Sequence, residues 1–178
     1  SVDPSRVQFL ENCDPTTVAR AMQFPREETS YVITSKSGET VETLSAALAL
    51  IGTHGDAIKS RIRVVTTTPA STLGQLATSQ GWEILPHPDK LGGRFSVFSI
   101  VGLLPAAYAG MDIAAIANAA QQKLTDVLGG DDERLWRHAS VIAAGLNDKP
   151  IQILMAYADR VRSATQWWKQ LWAESLGK

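Results

Sequence analysis

A chain of 178 residues, 44% hydrophobic and 20% charged, has the makeup of one ordinary globular domain, or of one domain and part of another, able to bury a real core. Seventeen basic side chains against eighteen acidic ones leave a formal charge of −1, so neither nucleic acid nor an anionic membrane is expected as a partner. Cys13 is the single cysteine, which excludes an intrachain disulfide and points to a reducing, cytoplasmic setting.

The first half alternates strand-like and helix-like segments. Val7 to Leu10 is a short apolar strand candidate, and Asp14-Pro15 then opens a helix running to about Met22, since proline suits a first helical turn. The N-terminal SVDPSRVQF lacks the basic and apolar regions of a signal peptide, and it does not start with methionine. Tyr31 to Thr34 is the next strand, after which Val41, Leu44, Leu48 and Ile51 recur at helical spacing. A third strand, Arg61 to Thr66, ends in three threonines before Pro69; residues 70 to 79 then read as helix, and Trp82 to Leu85 as a fourth strand. Repeated units of this length predict an α/β fold with a mainly parallel sheet covered by helices on both faces, a three-layer αβα sandwich.

From 96 to 146 the pattern is purely helical. Ile113, Ile116, Ala120, Leu124 and Val127 share one face, and Leu135, Ala139, Ile142 and Leu146 another, with Gly129-Gly130-Asp131 as the turn between them. The apolar region around Pro105, Gly110 and Asp112 is broken too early to span a bilayer. Ile151 to Tyr157 then reads as a strand, followed by an aromatic helix with Val161, Ala164, Trp168, Leu171 and Trp172 inward. The expected organisation is a first domain over 1–110, a helical connection over 111–150 and the opening of a second α/β unit over 151–178. His54, His87 and His138 lack metal-ligand spacing, so no metal site is expected and each reads as a structural or surface histidine.

Three stretches carry candidate chemistry. At the end of the Tyr31–Thr34 run, Ser35, Ser37 and Thr40 surround Lys36 and Gly38 where a strand becomes a helix. Unpaired N–H groups and the helix dipole favour an anion there, hydroxyls add donors, and glycine permits close approach. The alternative is plain helix capping by Ser37, with Glu39 and Glu42 complementing the dipole; those carboxylates would also oppose a bound phosphate. In the second stretch, DKLGGRFSVFS, Gly92-Gly93 makes a tight turn, Arg94 supplies a cation, for a ligand or for a nearby carboxylate, and Ser96 begins a helix. The third, WKQLWAESLGK, holds Gln170 and Glu174 near a helix end, where Glu174 is either a functional carboxylate or an exposed terminal one.

SKSGET after an apolar strand resembles the phosphate loop of sugar isomerase (SIS) domains. GGRFSVFS resembles a signature of the phosphoglucose isomerase family, and QLWAESLGK its bacterial catalytic segment; Tyr157-Ala-Asp-Arg160 and Glu11-Asn-Cys-Asp-Pro15 are similar to it too, with Cys13 where the family has valine. The resemblance implies an SIS-like fold and reversible interconversion of glucose 6-phosphate and fructose 6-phosphate through an enediol, with a phosphosugar substrate and no cofactor. It gives Glu174 the role of base and Arg94 that of stabilising the enediolate. Ser35, Lys36, Ser37 and Thr40 would hold the phosphate, and Gly93 and Gln170 would line the pocket. It further implies a homodimeric parent and a chain that is a fragment of it, lacking the family's first strand with its glycine-rich loop, its ring-opening histidine and its late lysine, and therefore inactive or nearly so in isolation. SKSGET alone fits equally a phosphosugar-binding SIS module that senses ligand without chemistry; the other two stretches do not.

Overall fold

The computed structural model describes residues 3–177. Its chain separates into two compact units, Ser1–Met111 and Asp112–Lys178. The first is built on three strands, β1 (Tyr31–Thr34), β2 (Ile62–Thr66) and β3 (Glu83–Pro86), in the order β1-β2-β3 and all parallel. The fold is α/β. Crossovers are made by helices α2 (Val41–His54), with a 3-10 segment Gly55–Arg61 behind it, and α3 (Thr72–Gln80). Before β1 lies α1 (Pro15–Ala21), opened by Asp14, whose carboxylate accepts the Thr17 N–H at 2.8 Å.

Register explains the core. Ile33 stands opposite Val64 and Val64 opposite Ile84, while Tyr31 faces Ile62, so these residues share one face of the sheet. That face packs on Ala47 and Leu50 of α2 and on Leu73 and Ala77 of α3, with Ile58 and Trp82 closing the cluster. Consecutive right-handed crossovers between strands added in one direction place both helices there. Each fully buried valine, leucine or isoleucine contributes on the order of 1.5–3 kcal/mol, so this cluster holds the unit together. The opposite face carries Val32, Val65 and the cross-strand pair Arg63–Glu83, joined by an ion pair at 2.8 Å.

After β3 the chain enters a 3-10 turn, Gly93–Phe98, and then α4 (Ile100–Tyr108). Ser99, not Ser96, caps α4: its Oγ accepts the Val101 N–H at 3.3 Å and donates to the Ser96 carbonyl at 2.7 Å. Gly102 lets α4 lie directly on the turn, since a Cβ there would stand 2.1 Å from the Val97 carbonyl oxygen.

The second unit is helical: α5 (Ile113–Gly129), α6 (Glu133–Gly145) and α7 (Arg162–Leu176). Asp112 and Asp132 cap α5 and α6 by accepting the Ala115 and Leu135 N–H groups. The apolar faces expected of these helices are present, but little of them is buried: Ile116, Val127 and Ile142 are half-buried, while Leu124 and Leu135 remain 50% and 44% exposed. On α7, Trp168, Leu171 and Trp172 are half-buried and the two indoles stack at 5.2 Å; Ala164 is exposed, and Val161, expected inward, is exposed in the 3-10 turn before the helix.

Two expected strands do not form. Val7 to Leu10 is irregular, and Ile151 to Tyr157 is without regular structure. A strand is defined by a hydrogen-bonded neighbour, and among the described residues neither segment has one. Ile151, Ile153 and Tyr157 are consequently 80%, 78% and 90% exposed.

Candidate functional site

Because all three strands are parallel, the loops that follow them open at one edge of the sheet, the edge where α/β proteins bind ligands. The loop after β1 is Ser35 to Thr40. Ser35 continues the ladder, its N–H donating to the Val65 carbonyl at 3.0 Å, and its buried hydroxyl lies 2.9 Å from that of Thr40. The same oxygen accepts the Gly38 N–H at 3.0 Å. Ser37 accepts the Glu39 N–H at 3.1 Å and is exposed. Ser37 is therefore not the cap of α2. That position belongs to Thr40, whose hydroxyl turns back to Ser35 and makes no cap hydrogen bond. The first-turn N–H groups of α2 have no intrahelical acceptor, so the helix presents a positive, uncapped end beside three hydroxyls.

The loop after β2 buttresses this cradle. The Lys36 carbonyl accepts the Thr67 N–H at 3.1 Å and the Thr66 hydroxyl at 3.3 Å, and the Gly38 carbonyl accepts the Leu73 N–H at 3.0 Å. Gly38 has φ of +69°, and a Cβ on it would stand 2.1 Å from Ser71 Oγ. The close approach this glycine permits is thus to Ser71. Ser71 is buried and caps α3 by accepting the Gly74 N–H at 3.1 Å. In the same loop the Thr67 hydroxyl is shut off from solvent with no hydrogen-bond partner among the described residues.

Glu39, which reads in the sequence as an opponent of any bound anion, is committed elsewhere. Its Oε1 accepts the Thr72 N–H at 2.7 Å and its Oε2 the Thr72 hydroxyl at 2.6 Å. Those two bonds, the hydroxyl's first, hold its carboxyl below the ordinary carboxylate range. Glu42 is exposed in the first turn of α2, where its carbonyl accepts the Cys13 thiol at 3.3 Å. Thr66, Ser71 and Thr72 are supporting residues that sequence reasoning did not assign; the threonine run at the end of β2 was the visible signal.

The loop after β3 carries Gly93 and Arg94. The Gly93 carbonyl accepts the buried Ser96 hydroxyl at 2.6 Å, which tightens the turn, and the half-buried Arg94 guanidinium lies 4.7 Å from the centre of the Phe95 ring. Gln170 and Glu174 belong to the second unit, on consecutive turns of α7. The Gln170 amide donates to Glu174 Oε1 at 2.9 Å and both side chains are exposed, so the carboxylate has a fixed neighbour one turn away. Of the histidines, His87 opens the loop after β3, buried, with its backbone N–H donating to the Thr66 carbonyl at 3.0 Å and Nδ1 2.9 Å from the Pro88 carbonyl; His54 sits beside the Tyr31 ring, and His138 is exposed on α6. Among the described residues no helix is long and apolar enough to cross a membrane.

The glucose-6-phosphate isomerase of Rubrobacter xylanophilus is 34% identical over 97% of this chain, and a probable glucose-6-phosphate isomerase of Haloarcula marismortui is 35% identical over 99% of it. The chain spans 42% of the length of each of these relatives. A crystal structure of a hypothetical protein from Thermus thermophilus superimposes with a TM-score of 0.85 and 29% identity, over 96% of this chain and 42% of that one. The family profile described as "Phosphoglucose isomerase" matches residues 2–178, so the whole sequence but its first residue carries the signature, and the chain belongs to the phosphoglucose isomerase family.

Proposed function

We propose that this chain is part of a glucose-6-phosphate isomerase and that its hydroxyl loop seats the phosphate of glucose 6-phosphate or fructose 6-phosphate. The observation that carries the reading is the Ser35–Thr40 hydroxyl pair, set before a helix end that Thr40 does not cap, with the nearest loop carboxylate drawn off onto Thr72. A phosphate there meets backbone N–H groups, the hydroxyls of Ser35, Ser37 and Thr40, and the charge of Lys36. Binding of this kind supplies affinity and orientation for chemistry at the other end of the sugar.

Aldose–ketose isomerisation moves a proton between C1 and C2 through an enediol. It needs a base for the proton and positive charge for the developing oxyanion. Glu174 is the base: its carboxylate takes the proton from one carbon and returns it to the other. Gln170 orients that carboxylate and lines the pocket. Arg94 stabilises the enediolate, and Gly93 brings backbone close to the sugar. The parent protein is read as a cytoplasmic homodimer, and the 178-residue chain alone as without turnover.

A coupled assay for conversion of fructose 6-phosphate to glucose 6-phosphate, run on the complete gene product and its Glu174→Gln variant, tests the reading. Loss of a general base lowers kcat by about 10²–10⁴-fold. Activity in the parent that survives in Glu174→Gln rules out the assignment of the base. Inactivity of the parent together with retained phosphosugar binding favours a ligand-sensing module.

A further inference from the structure

The carboxylate that sequence reading sets against a phosphate is the one that bolts the phosphate loop in place. We propose that Glu39 is a positioning residue: through Thr72 it ties the loop after β1 to the start of α3 and so fixes the hydroxyl cradle in its binding geometry. The inference rests on the phosphosugar reading of that loop.

Three contacts join the two segments. The Glu39 carboxylate spans both donors of Thr72, at 2.7 and 2.6 Å, across 33 residues of sequence. One residue earlier, the Gly38 carbonyl accepts the Leu73 N–H at 3.0 Å. Ser71 fills the space a side chain on Gly38 would occupy. Helix capping does not require Glu39, because Ser71 already accepts the Gly74 N–H at 3.1 Å. The two residues flanking Glu39, Gly38 and Thr40, are both partners of the Ser35 hydroxyl, so release of Glu39 loosens the cradle at its centre. Charge works in the same direction. With both oxygens engaged by Thr72, the carboxylate is committed to the start of α3 and withdrawn from the loop's own amides, where it would compete with a substrate anion.

The clamp makes a prediction opposite in sign to simple electrostatics. Glu39→Gln removes a negative charge near an anion site, which by Coulomb's law alone tightens anion binding. If the clamp positions the loop, the same substitution weakens binding, because the neutral amide loses the charge assistance of both hydrogen bonds to Thr72 and its nitrogen can only donate to the hydroxyl. The experiment uses the complete gene product in the isomerase assay, with inorganic phosphate as competitive inhibitor and the thermal midpoint recorded alongside. Glu39→Gln is expected to raise the phosphate inhibition constant and the KM for fructose 6-phosphate roughly fivefold to tenfold, with kcat within about twofold. Thr72→Val, which keeps the charge and removes one donor, is expected to do the same, and the double variant to be no worse than either single one. An unchanged or lower inhibition constant in Glu39→Gln overturns the proposal. So does a fall in the thermal midpoint with the inhibition constant unmoved, which would make Glu39 a helix cap only. Ser37→Ala separates this failure from failure of the phosphate reading. If it leaves phosphate inhibition unchanged as well, the loop is not the phosphate seat and both readings fall. If it weakens inhibition while Glu39→Gln does not, only the clamp is wrong.

Discussion

Gly38→Ala is the substitution the loop should tolerate least. Gly38 sits at φ of +69°, where a side chain costs about 1–2 kcal/mol. The added Cβ would also stand 2.1 Å from Ser71 Oγ and 2.4 Å from Ser71 Cβ, so Ser71 must move. Ser71 has nowhere to go without loss: it is 6% exposed, accepts the Gly74 N–H at 3.1 Å and donates to the Thr68 carbonyl at 2.8 Å. Releasing that cap costs about 0.5–2 kcal/mol, and overfilling a packed site about 1–3 kcal/mol. The last two describe relief of one clash and do not add, so the expected total is about 2–5 kcal/mol, a large share of a domain stability of about 5–15 kcal/mol. Amide exchange of Val64 and Val65, fully buried in the central strand, reports the stability of the first unit separately from the helical one. Ser71→Gly is the control, since glycine at a cap costs only a few tenths of a kcal/mol relative to serine. With the serine side chain gone, the double variant should lose mainly the backbone cost, about 1–2 kcal/mol, since the remaining neighbour, the Thr66 hydroxyl at 3.1 Å, has little distance to give. A Gly38→Ala variant within about 0.5 kcal/mol of the parent, or a double variant no better than the single one, would refute the packing of these two loops.

Ser37→Ala in the complete gene product should raise KM about tenfold or more, the worth of a hydrogen bond to a charged group, and change kcat less; a change confined to kcat argues against a phosphate contact. Lys123→Met probes the turn between α5 and α6, where the Lys123 ammonium pairs with the buried Asp132 carboxylate and, as the main cause, lowers its pKa from the ordinary 3.8. A lowered pKa stabilises the folded state fully above the unfolded-state value, and that stability is lost as pH falls through the folded-state value. Urea midpoints of parent and Lys123→Met should therefore differ near neutral pH and converge in strong acid; an equal gap at both ends would show that the ion pair is not the source.

The alternating elements of the first unit were legible because local pattern and tertiary environment agree there. Tyr31–Thr34 and Ile62–Thr66 are short, rich in β-branched residues and separated by one helix length, a combination that favours a parallel βαβ unit over other arrangements. Ile151 to Tyr157 has the same local character and forms no strand, because β-propensity describes how side chains suit a pleated surface and does not supply the neighbour that makes one. Helices α5 and α6 teach the same point at a different period. Their spacing correctly names the apolar faces, yet Leu124 is 50% exposed and Leu135 44% exposed, since periodicity says which side of a helix seeks cover and not what covers it.

The candidate site divides along similar lines. That hydroxyls crowd the end of β1 is a fact of sequence; which of them caps a helix is not. Ser37 has the residue type of a cap and Thr40 holds the cap position, but the Thr40 hydroxyl faces Ser35, so composition alone predicts a sealed helix end where the fold leaves one unsealed by its side chain. Glu39 is the sharper case. In a window of six residues it is a charge beside an anion site, and reading the loop as a phosphate seat counts it as unfavourable. Its partner Thr72 is 33 positions away, brought near only because β1 and β2 are parallel neighbours and α3 starts beside the loop that follows β1. A carboxylate's effect on a bound anion depends on where its own hydrogen bonds go, and in a parallel sheet those are set by the next crossover. Residues that oppose a ligand in one dimension are therefore the ones to trace first in three.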